Sequence, residues 1–366
     1  MTSGGERLPF SIFSRCKEWQ SFSPGLERVA FVLKELGNPH LSYPHVVVGG
    51  TNGKGTVSYN LALNGPKPCG LLLSPHVQNI RERITLAGEW ISDDVWEAAC
   101  LRILEAVPNP DLSYFEWLLV LAVVMFEMEG CAFALFEVGL GGRIDAVNAL
   151  EPNVSVLTNV SLDHQAILGE NVEQIALEKI EIARKGKPFL YPMVLNQYHS
   201  IRTRLEQMGC LGKPFQVSQG FLGNSEIIAH CLEELDWQGK VTLQHLSGRR
   251  EVLRDGLYLD GAHNEAGWLD MVDWIKKLSP PLNILCSLSL GRDPLVFLNA
   301  IRPVTRKVYV WDVSYEKVLA LDTWPENVEI IKDTDIPHLL EESLLVCGSL
   351  YMTGLFKNLM EKIGFI

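Results

Sequence analysis

Short, continuous apolar runs recur along the chain and alternate with stretches in which apolar residues repeat at helical spacing. Continuous runs are typical of strands that are covered on both faces, as in parallel sheets. The alternation therefore predicts an α/β architecture with mostly parallel strands. The predicted strands are Pro44–Val48, Gly70–Leu73, Ala132–Val138, Val154–Val160, Phe189–Tyr191, Leu257–Leu259, Leu282–Leu285, Lys307–Trp311 and Ser343–Cys347. The clearest helical patterns are Trp117–Glu129, Val172–Arg184 and Ala266–Leu278.

The pattern weakens in two places that bear on domain organisation. Residues 210–246 mix short apolar pieces with Gly, Ser and Glu, and no element is assigned to them. Around Gly248–Glu251 the chain turns polar before a new strand begins, which predicts a domain boundary. A chain of 366 residues is long enough for two or three domains. We expect a first domain over 1–248 and a second over 249–366.

Charge and composition narrow the classes of partner. The net charge of −12 argues against a broad nucleic-acid or anionic-membrane surface. The longest apolar run, Trp117–Phe126, is too short to span a bilayer and predicts a buried helix. The segment Met1–Arg7 has no basic-then-apolar signal pattern, so we expect a cytoplasmic protein. Scattered cysteines without a Cys-x-x-Cys pair are typical of free thiols in a reducing compartment. They are Cys16, Cys69, Cys100, Cys131, Cys210, Cys231, Cys286 and Cys347.

A glycine-rich loop follows the first buried run directly: Gly50-Thr51-Asn52-Gly53-Lys54-Gly55-Thr56. Glycines let backbone N–H groups approach phosphate oxygens closely, and Lys54 adds a positive charge for the β- and γ-phosphates. Thr56 offers a hydroxyl to Mg²⁺. The residue order differs from the common P-loop, in which Ser or Thr directly follows Lys, and an ordinary strand-to-helix turn is the alternative. The loop nevertheless favours nucleotide binding.

Glu137 closes the predicted strand that begins near Ala132, and a second glycine-rich turn extends from there to Asp145. Ligands in open α/β sheets bind beyond the carboxyl ends of the strands. A carboxylate in that position, beside a phosphate loop, is a suitable oxygen ligand for nucleotide-bound Mg²⁺. Glu137 is therefore a candidate metal ligand, and a merely solvated turn residue is the alternative.

Three further clusters are less specific. His164 ends the cluster Thr158-Asn159-Val160-Ser161-Leu162-Asp163-His164, which follows another strand. It fits a metal ligand or a general base, although a single loop histidine is more often neither. Lys179 sits on a helical pattern beside Glu178, where a solvated face is the usual reading. The group Asp260–Asn264 suits a ribose, a phosphate or an amino acid, and equally a turn that caps the next helix.

In this order along the chain, the motifs resemble the folylpolyglutamate synthase / dihydrofolate synthase family of the Mur ligase superfamily. The resemblance runs from about residue 26 to residue 356. Its stretches are Leu26-Glu27-Arg28, Leu36-Gly37-Asn38-Pro39, Gly50 to Thr56, Ser74-Pro75-His76, Glu82-Arg83-Ile84, Glu137 to Asp145, Leu162-Asp163-His164, Glu178-Lys179, Gly248-Arg249, Leu259 to Asn264 and Gly348-Ser349-Leu350-Tyr351.

The resemblance implies a fold and a reaction. The fold is a P-loop-containing Mur-ligase-type central domain with a smaller Rossmann-like C-terminal α/β domain. The reaction uses ATP to join L-glutamate to dihydropteroate, to folates, or to both, through an acyl phosphate. The implied partners are these small molecules alone, without nucleic acid or membrane, and the chain is expected to be a monomer.

The resemblance also implies roles for residues. Catalysis falls to Lys54, Glu137, His164, Lys179 and His263, with two Mg²⁺ held by Thr56, Glu137, His164 and a carbamylated Lys179. ATP binding falls to Gly50, Thr51, Asn52, Gly53, Lys54, Gly55, Thr56, Arg249, Asp260 and Asn264. The folate or pteroate side is Ser74, Pro75, His76 and Arg83, and the glutamate side is Asp260, His263 and Ser349.

The chain departs from the family pattern at several points. Leu73 stands where Thr usually precedes Ser-Pro-His, and Glu251 stands where Gln is expected. Asn64–Pro68 interrupts the helix after the phosphate loop early, and the whole chain is shorter than is typical. These changes bear on substrate preference and on contacts with the adenine.

Two other functions remain open. Another Mur-type ligase, acting on nucleotide-linked peptides, would share the phosphate loop and metal residues. It would lack Ser-Pro-His followed by Glu-Arg, and would carry a further N-terminal domain, for which the roughly 45 residues before the loop leave no room. An ATP-binding module without catalysis would be expected to lose Lys54, Glu137 or Lys179, and all three are present.

Overall fold

Two sheets organise the chain, and parallel strands dominate both. The computed structural model describes residues 8–14, 25–218, 220–239, 241–278, 280–313 and 317–365, so Met1–Arg7 and Cys16 lie outside the described residues. One compact unit consists of Met1–Ser74 and Ile80–Gln244, and the other of Pro75–Asn79 and His245–Ile366.

The first unit carries an eight-stranded sheet. Its strands are β1 (His45–Gly49), β2 (Cys69–Leu72), β3 (Ile84–Leu86), β4 (Glu89–Trp90), β5 (Phe133–Glu137), β6 (Val154–Leu157), β7 (Pro188–Pro192) and β8 (Leu211–Phe215). Its helices are α1 (Phe10–Phe13), α2 (Leu26–Glu35), α3 (Lys54–Asn64), α4 (Asp93–Ala106), α5 (Tyr114–Met128), α6 (Gln165–Leu168), α7 (Val172–Lys179), α8 (His199–Met208) and α9 (Phe221–Glu234).

The second unit carries a six-stranded sheet. Its strands are β9 (Glu251–Arg254), β10 (Leu257–Asp260), β11 (Leu282–Cys286), β12 (Thr305–Trp311), β13 (Glu329–Ile331) and β14 (Leu344–Cys347). Its helices are α10 (Glu265–Ile275), α11 (Pro294–Ile301), α12 (Ile336–Leu339) and α13 (Leu350–Lys362). Short 3₁₀ turns connect several elements, and one of them, Ile180–Ile182, follows α7 directly.

The strand order of the first sheet is β4-β3-β2-β5-β1-β6-β7-β8. Strand β1 lies between β5 and β6 and is parallel to both, so the carboxyl ends of these three strands meet at one edge. All five residues of β1 are buried, as expected for a strand covered on both faces. This edge receives the phosphate loop, the turn after Glu137 and the loop that carries His164.

All nine predicted strands are confirmed. The strands that the pattern missed are β3, β4, β8, β9 and β13, and they are short or exposed. The segment 210–246 contains β8 and α9. Helix α3 ends at Asn64, which confirms the early interruption after the phosphate loop.

Helix α5 forms the centre of the main core. Every residue from Trp117 to Phe126 is buried, in agreement with the prediction from the apolar run. Ser113 and Glu116 form a capping box that starts the helix at Tyr114, three residues before the predicted start. Arg28 donates to the buried Glu116 carboxylate at 2.9 Å, which ties α2 to this helix start. Within the described residues, no helix has both the length and the apolar content needed to cross a membrane.

Candidate active site

The phosphate loop can be built only with glycine at two positions. Gly53 has φ +83°, and a Cβ there would lie 2.4 Å from the side-chain oxygen of Asn224 on α9. A Cβ on Gly50 would lie 1.9 Å from Thr158 Oγ1. Asn224 is buried, and nothing in the sequence pattern pointed to it, because the surrounding segment could not be assigned.

Residues that follow β6 anchor this loop. Asn159 Nδ2 donates to the Asn52 carbonyl at 2.8 Å, and the Asn52 N–H donates to Asn159 Oδ1 at 3.0 Å. Thr158 Oγ1 donates to the same carbonyl at 2.7 Å. The Ser161 N–H donates to Thr51 Oγ1 at 3.1 Å. The sequence places Thr158 and Asn159 in the same cluster as His164, but their pattern did not predict these hydrogen bonds to the phosphate loop.

Two lysines converge on the loop. Lys54 Nζ, on the first residue of α3, donates to the Thr51 carbonyl at 3.3 Å. Lys179 Nζ, at the end of α7, donates to the Gly50 carbonyl at 3.0 Å. Burial lowers the pKa of Lys179 to about 7, and the charge of Lys54 adds to this decrease. The structure thus brings together two residues that are far apart in sequence, and it gives Lys179 a substantial neutral fraction near neutral pH.

Glu137 lies where the sequence predicts it, buried at the carboxyl end of β5. Its Oε2 accepts a hydrogen bond from the Ser74 N–H at 2.9 Å. The glycine-rich turn that follows folds around Asp145, which accepts from the N–H groups of Leu140 at 2.8 Å and Val147 at 2.9 Å. Burial raises the pKa of Asp145 to about 6, against the opposing effect of these hydrogen bonds and of Lys54.

The same turn fixes the end of α7. A Cβ on Gly142 would lie within 3 Å of the carbonyl oxygens of Glu178 and Lys179, so only glycine permits this approach. Glu178 accepts from Arg143 Nε at 2.8 Å and from the Ile144 N–H at 3.3 Å. The turn after Glu137 thereby holds the backbone of Lys179. The solvated-face interpretation of Glu178-Lys179 is wrong, since both side chains are buried.

The side chain of His164, on the loop that follows β6, is half exposed. It has φ +48° and precedes α6, and its N–H donates to Asp163 Oδ1 at 2.9 Å. Its Nε2 is 3.8 Å from the same oxygen. Asp163 is buried, and its negative charge opposes the lowering of the Lys179 pKa. The histidine therefore has its position set by a buried carboxylate.

The donor set fits a metal that arrives with a nucleotide. Among the described residues, no three His, Cys, Asp or Glu side chains group closely enough to hold a metal ion by themselves. Mg²⁺ in nucleotide sites usually keeps waters and takes one or two protein ligands beside the phosphates. The buried Thr56 hydroxyl and Glu137 carboxylate meet that lower demand.

The residues predicted for the folate side fall in both units. Ser74 and Arg83 belong to the first unit, whereas Pro75 and His76 belong to the second. Arg83 is almost fully buried, with its guanidinium 5.3 Å from the centre of the Tyr114 ring.

The segment Pro75–Asn79 packs on α13. Gln78 Nε2 donates to Asn358 Oδ1 at 3.0 Å and to Glu361 Oε1 at 2.9 Å. A Cβ on Gly354 would lie 1.8 Å from the Val77 carbonyl oxygen, so glycine is required for this approach. No pattern in the sequence predicted that this segment would belong to the second unit.

In the second unit, three predicted ligand residues make hydrogen bonds that shape the fold. Asp260 accepts from the N–H groups of Arg250 at 3.0 Å and Ala262 at 2.8 Å. Asn264 caps α10, and Ser349 caps α13 by accepting from the Met352 N–H at 3.1 Å. The capping turn considered for Asp260–Asn264 is therefore present.

The junction before β9 separates two neighbouring arginines. Arg250 Nη2 pairs with Asp270 Oδ2 at 2.7 Å, whereas the Arg249 side chain has no hydrogen bond within the described residues. The positive charges of both oppose the burial that raises the pKa of Asp260. Glu251 accepts from the Gly248 N–H at 2.6 Å and from Lys357 Nζ at 2.9 Å, which stabilises the turn.

No protein-family model matches the chain. Among curated relatives, it is 26% identical to the dihydrofolate synthase/folylpolyglutamate synthase of Bacillus subtilis over 90% of this chain and 93% of that protein. It is 38% identical to a probable bifunctional folylpolyglutamate synthase/dihydropteroate synthase of Haloferax volcanii over 46% of this chain. That match spans 21% of the Haloferax protein, so the chain covers only a fraction of this relative's length.

Solved structures match nearly the whole chain. E. coli FolC in complex with ADP aligns with a TM-score of 0.86 at 22% identity, over 97% of this chain and 98% of that one. A Yersinia pestis bifunctional folylpolyglutamate synthase/dihydrofolate synthase with AMPPNP and a Mn ion aligns with a TM-score of 0.84 at 21% identity, over 97% of both chains. Together with the phosphate loop that follows β1, these matches define a FolC-like α/β fold. The resemblance to the folylpolyglutamate synthase / dihydrofolate synthase family is confirmed by the names of the curated relatives.

Proposed function

We propose that the chain is an ATP-dependent acid–amino-acid ligase that adds L-glutamate to dihydropteroate, to folates, or to both, with release of ADP and phosphate. The observation that carries the proposal is the convergence of Lys54 and Lys179 on the carbonyls of Thr51 and Gly50, at the sheet edge where the buried Glu137 ends β5. Relatives named for both synthase activities support this choice of reaction.

The chemistry explains why cations gather at the loop. A free carboxylate is a poor acceptor for an amine, because oxide would have to leave. Transfer of the γ-phosphoryl group from ATP gives an acyl phosphate, from which the glutamate amine displaces phosphate to form the amide. Positioning and neutralisation of charge supply most of the rate enhancement in phosphoryl transfer. Lys54 and the N–H groups that open α3 are suited to that task.

Two Mg²⁺ complete the proposal. Thr56 and Glu137 would hold the first, and Glu137, His164 and a carbamylated Lys179 the second. Metal bound there would neutralise charge on the phosphates. Carbamylation requires a neutral amine, and the lowered pKa of Lys179 supplies it near pH 7. The carbamate would turn a cation into an oxygen ligand on the same side chain.

The remaining assignments belong to the same proposal. Arg249, Asp260 and Asn264 would contact ATP, and Asp260, His263 and Ser349 the glutamate. The pteroate side would use Ser74, Pro75, His76 and Arg83. We further propose that the chain acts as a cytoplasmic monomer.

The test is phosphate release measured with ATP, Mg²⁺ and L-glutamate while each acceptor is offered in turn. We expect release only when dihydropteroate or a folate is added, together with a product heavier by one glutamate residue. Turnover with a nucleotide-linked peptide instead would favour another Mur-type ligase. ATP binding without turnover on any acceptor would favour a module without catalysis.

A further inference from the structure

We propose that Asn159 is a positioning residue that presets the phosphate loop, and that it leaves the N–H groups of Gly53, Lys54, Gly55 and Thr56 as the backbone ligands of the phosphates. The inference rests on the proposed nucleotide binding of this loop. Asn159 lies near the start of the connection that follows β6, and no ligand role has been assigned to it.

Asn159 forms hydrogen bonds with the phosphate loop through both its side chain and its backbone. Its amide exchanges two hydrogen bonds with the backbone of Asn52, at 2.8 Å and 3.0 Å. Its own carbonyl accepts from the Thr51 N–H at 3.0 Å. One residue of another strand connection therefore accepts from the N–H groups of both Thr51 and Asn52.

The hydrogen bonds made by Asn159 determine which N–H groups of the phosphate loop remain for a ligand. The first backbone bond of α3 runs from the Val57 N–H to the Gly53 carbonyl. The N–H groups of Gly53 to Thr56 precede that bond, so they have no acceptor within the helix. A helix start of this kind attracts anions through both its N–H groups and its dipole. Asn159 therefore separates the loop into an anchored half and a half directed to ligand.

The chain contains a matched control for this interpretation. Asn153 precedes β6, and its Oδ1 accepts from the His45 N–H at the start of β1 at 2.9 Å. The same residue type thus links the same two strands at their opposite ends. If Asn159 only joined β6 to β1, the loss of either asparagine would affect the protein in the same way.

The experiment compares Asn159→Ala with Asn153→Ala in the full chain. We would measure the dissociation constant for ADP by calorimetry, the KM values for ATP and glutamate, and unfolding by denaturant. We expect Asn159→Ala to raise the ADP dissociation constant and the KM for ATP about tenfold, because loop ordering must then be supplied on binding. The KM for glutamate should not change, and Asn153→Ala should bind ADP as the wild type does.

Thr158 provides an independent second arm if Asn159→Ala does not fold. Thr158→Val removes the hydroxyl that donates to the Asn52 carbonyl at 2.7 Å, and Thr158→Ser keeps it. The valine variant should weaken ADP binding in the same direction, and the serine variant should restore it. Equal ADP affinity in the wild type, Asn159→Ala and Thr158→Val would overturn the inference. A wild type that binds no nucleotide would instead reject the proposed function itself, and the inference with it.

Discussion

Both units carry residues with predicted ligand roles, but the fold treats these residues differently. In the second unit, Asp260, Asn264 and Ser349 accept backbone N–H groups and thereby build turns and helix starts. In the first unit, Lys179 is buried at a cost to its own charge, and burial lowers its pKa to about 7. Groups with strongly perturbed pKa values cluster at functional sites.

This contrast shows which kind of motif indicates chemistry and which indicates only local structure. A capping serine or asparagine contributes to stability whether or not a ligand binds, so its presence alone says little about function. A buried lysine beside a second lysine is destabilising unless a ligand or a modification uses it. The following four predictions test this contrast between the two units.

The largest effect should follow from Lys54→Ala. Loss of a preorganised charge at the phosphates should lower kcat about a hundred- to a thousandfold. Steady-state phosphate release measures it. Lys185→Ala removes an exposed lysine of the same unit and should leave kcat unchanged. Near-normal ligation by Lys54→Ala would mean that the first unit is no more catalytic than the second.

Lys179→Ala should lower kcat about a hundredfold through loss of the proposed carbamate and its oxygen ligands. Added acetate should restore part of the activity of this variant. Wild-type enzyme that has been depleted of CO₂ and chelated should recover with bicarbonate and Mg²⁺, and the variant should not. Full activity of Lys179→Ala would rule out the carbamate.

The first unit should also lose stability in acid through His45. This buried ring donates from Nδ1 to the Tyr43 carbonyl at 3.3 Å, and its Nε2 has no hydrogen-bond partner among the described residues. Burial, with a further contribution from His40 and Arg184, lowers the pKa of His45 to about 4. The neutral ring stabilises the fold fully above the unfolded pKa of about 6.5, and protonation removes this stabilisation as the pH falls toward 4.

Between pH 7 and pH 5, this histidine should reduce the free energy of unfolding by about 2 kcal/mol. Denaturant unfolding of wild type and His45→Gln at both pH values isolates its contribution. His199→Gln changes an exposed histidine of the same unit and should keep the wild-type pH dependence. A pH dependence that His45→Gln leaves unchanged would contradict the assignment.

The smallest effect concerns the caps of the second unit. Ser349→Ala and Asp293→Ala each remove an N-cap, of α13 and α11 respectively, and each should cost about 1 kcal/mol of stability. Only Ser349→Ala should raise the KM for glutamate, because Asp293 has no predicted ligand role. Matching glutamate KM values in both variants would leave Ser349 as a cap alone.

The local pattern of apolar residues was sufficient to predict the main strands of both sheets. Buried strands such as β1, β5 and β6 are recognisable as continuous apolar runs. The two glycine-rich loops directly follow β1 and β5. The missed strands lie in short or exposed segments, where tertiary pairing rather than composition decides the structure. The predicted helix Val172–Arg184 is wrong beyond Lys179, where a 3₁₀ turn replaces it.

Contacts across long sequence separations were beyond the reach of the pattern. The bonds of Asn159 to Asn52, and the approach of Asn224 to Gly53, join segments that have no periodic relation. The burial of Lys179 likewise depends on Gly142, which lies in a turn far away in the sequence and lets the Lys179 backbone approach closely. Local residue order therefore identified Lys54 and Glu137 as candidate site residues from their chemistry, whereas Lys179 was identified only through the family resemblance.

The excursion of Pro75–Asn79 limits how this protein can be divided. The chain passes from one unit to the other after Ser74, after Asn79 and after Gln244. A gene cut at Gln244 would leave Gly354 of one fragment without the Val77 backbone that it accommodates, because that segment would stay on the other fragment. Exchange of the second unit between relatives should therefore succeed only when residues 75–79 are exchanged with it, so the unit of recombination is discontinuous in the gene.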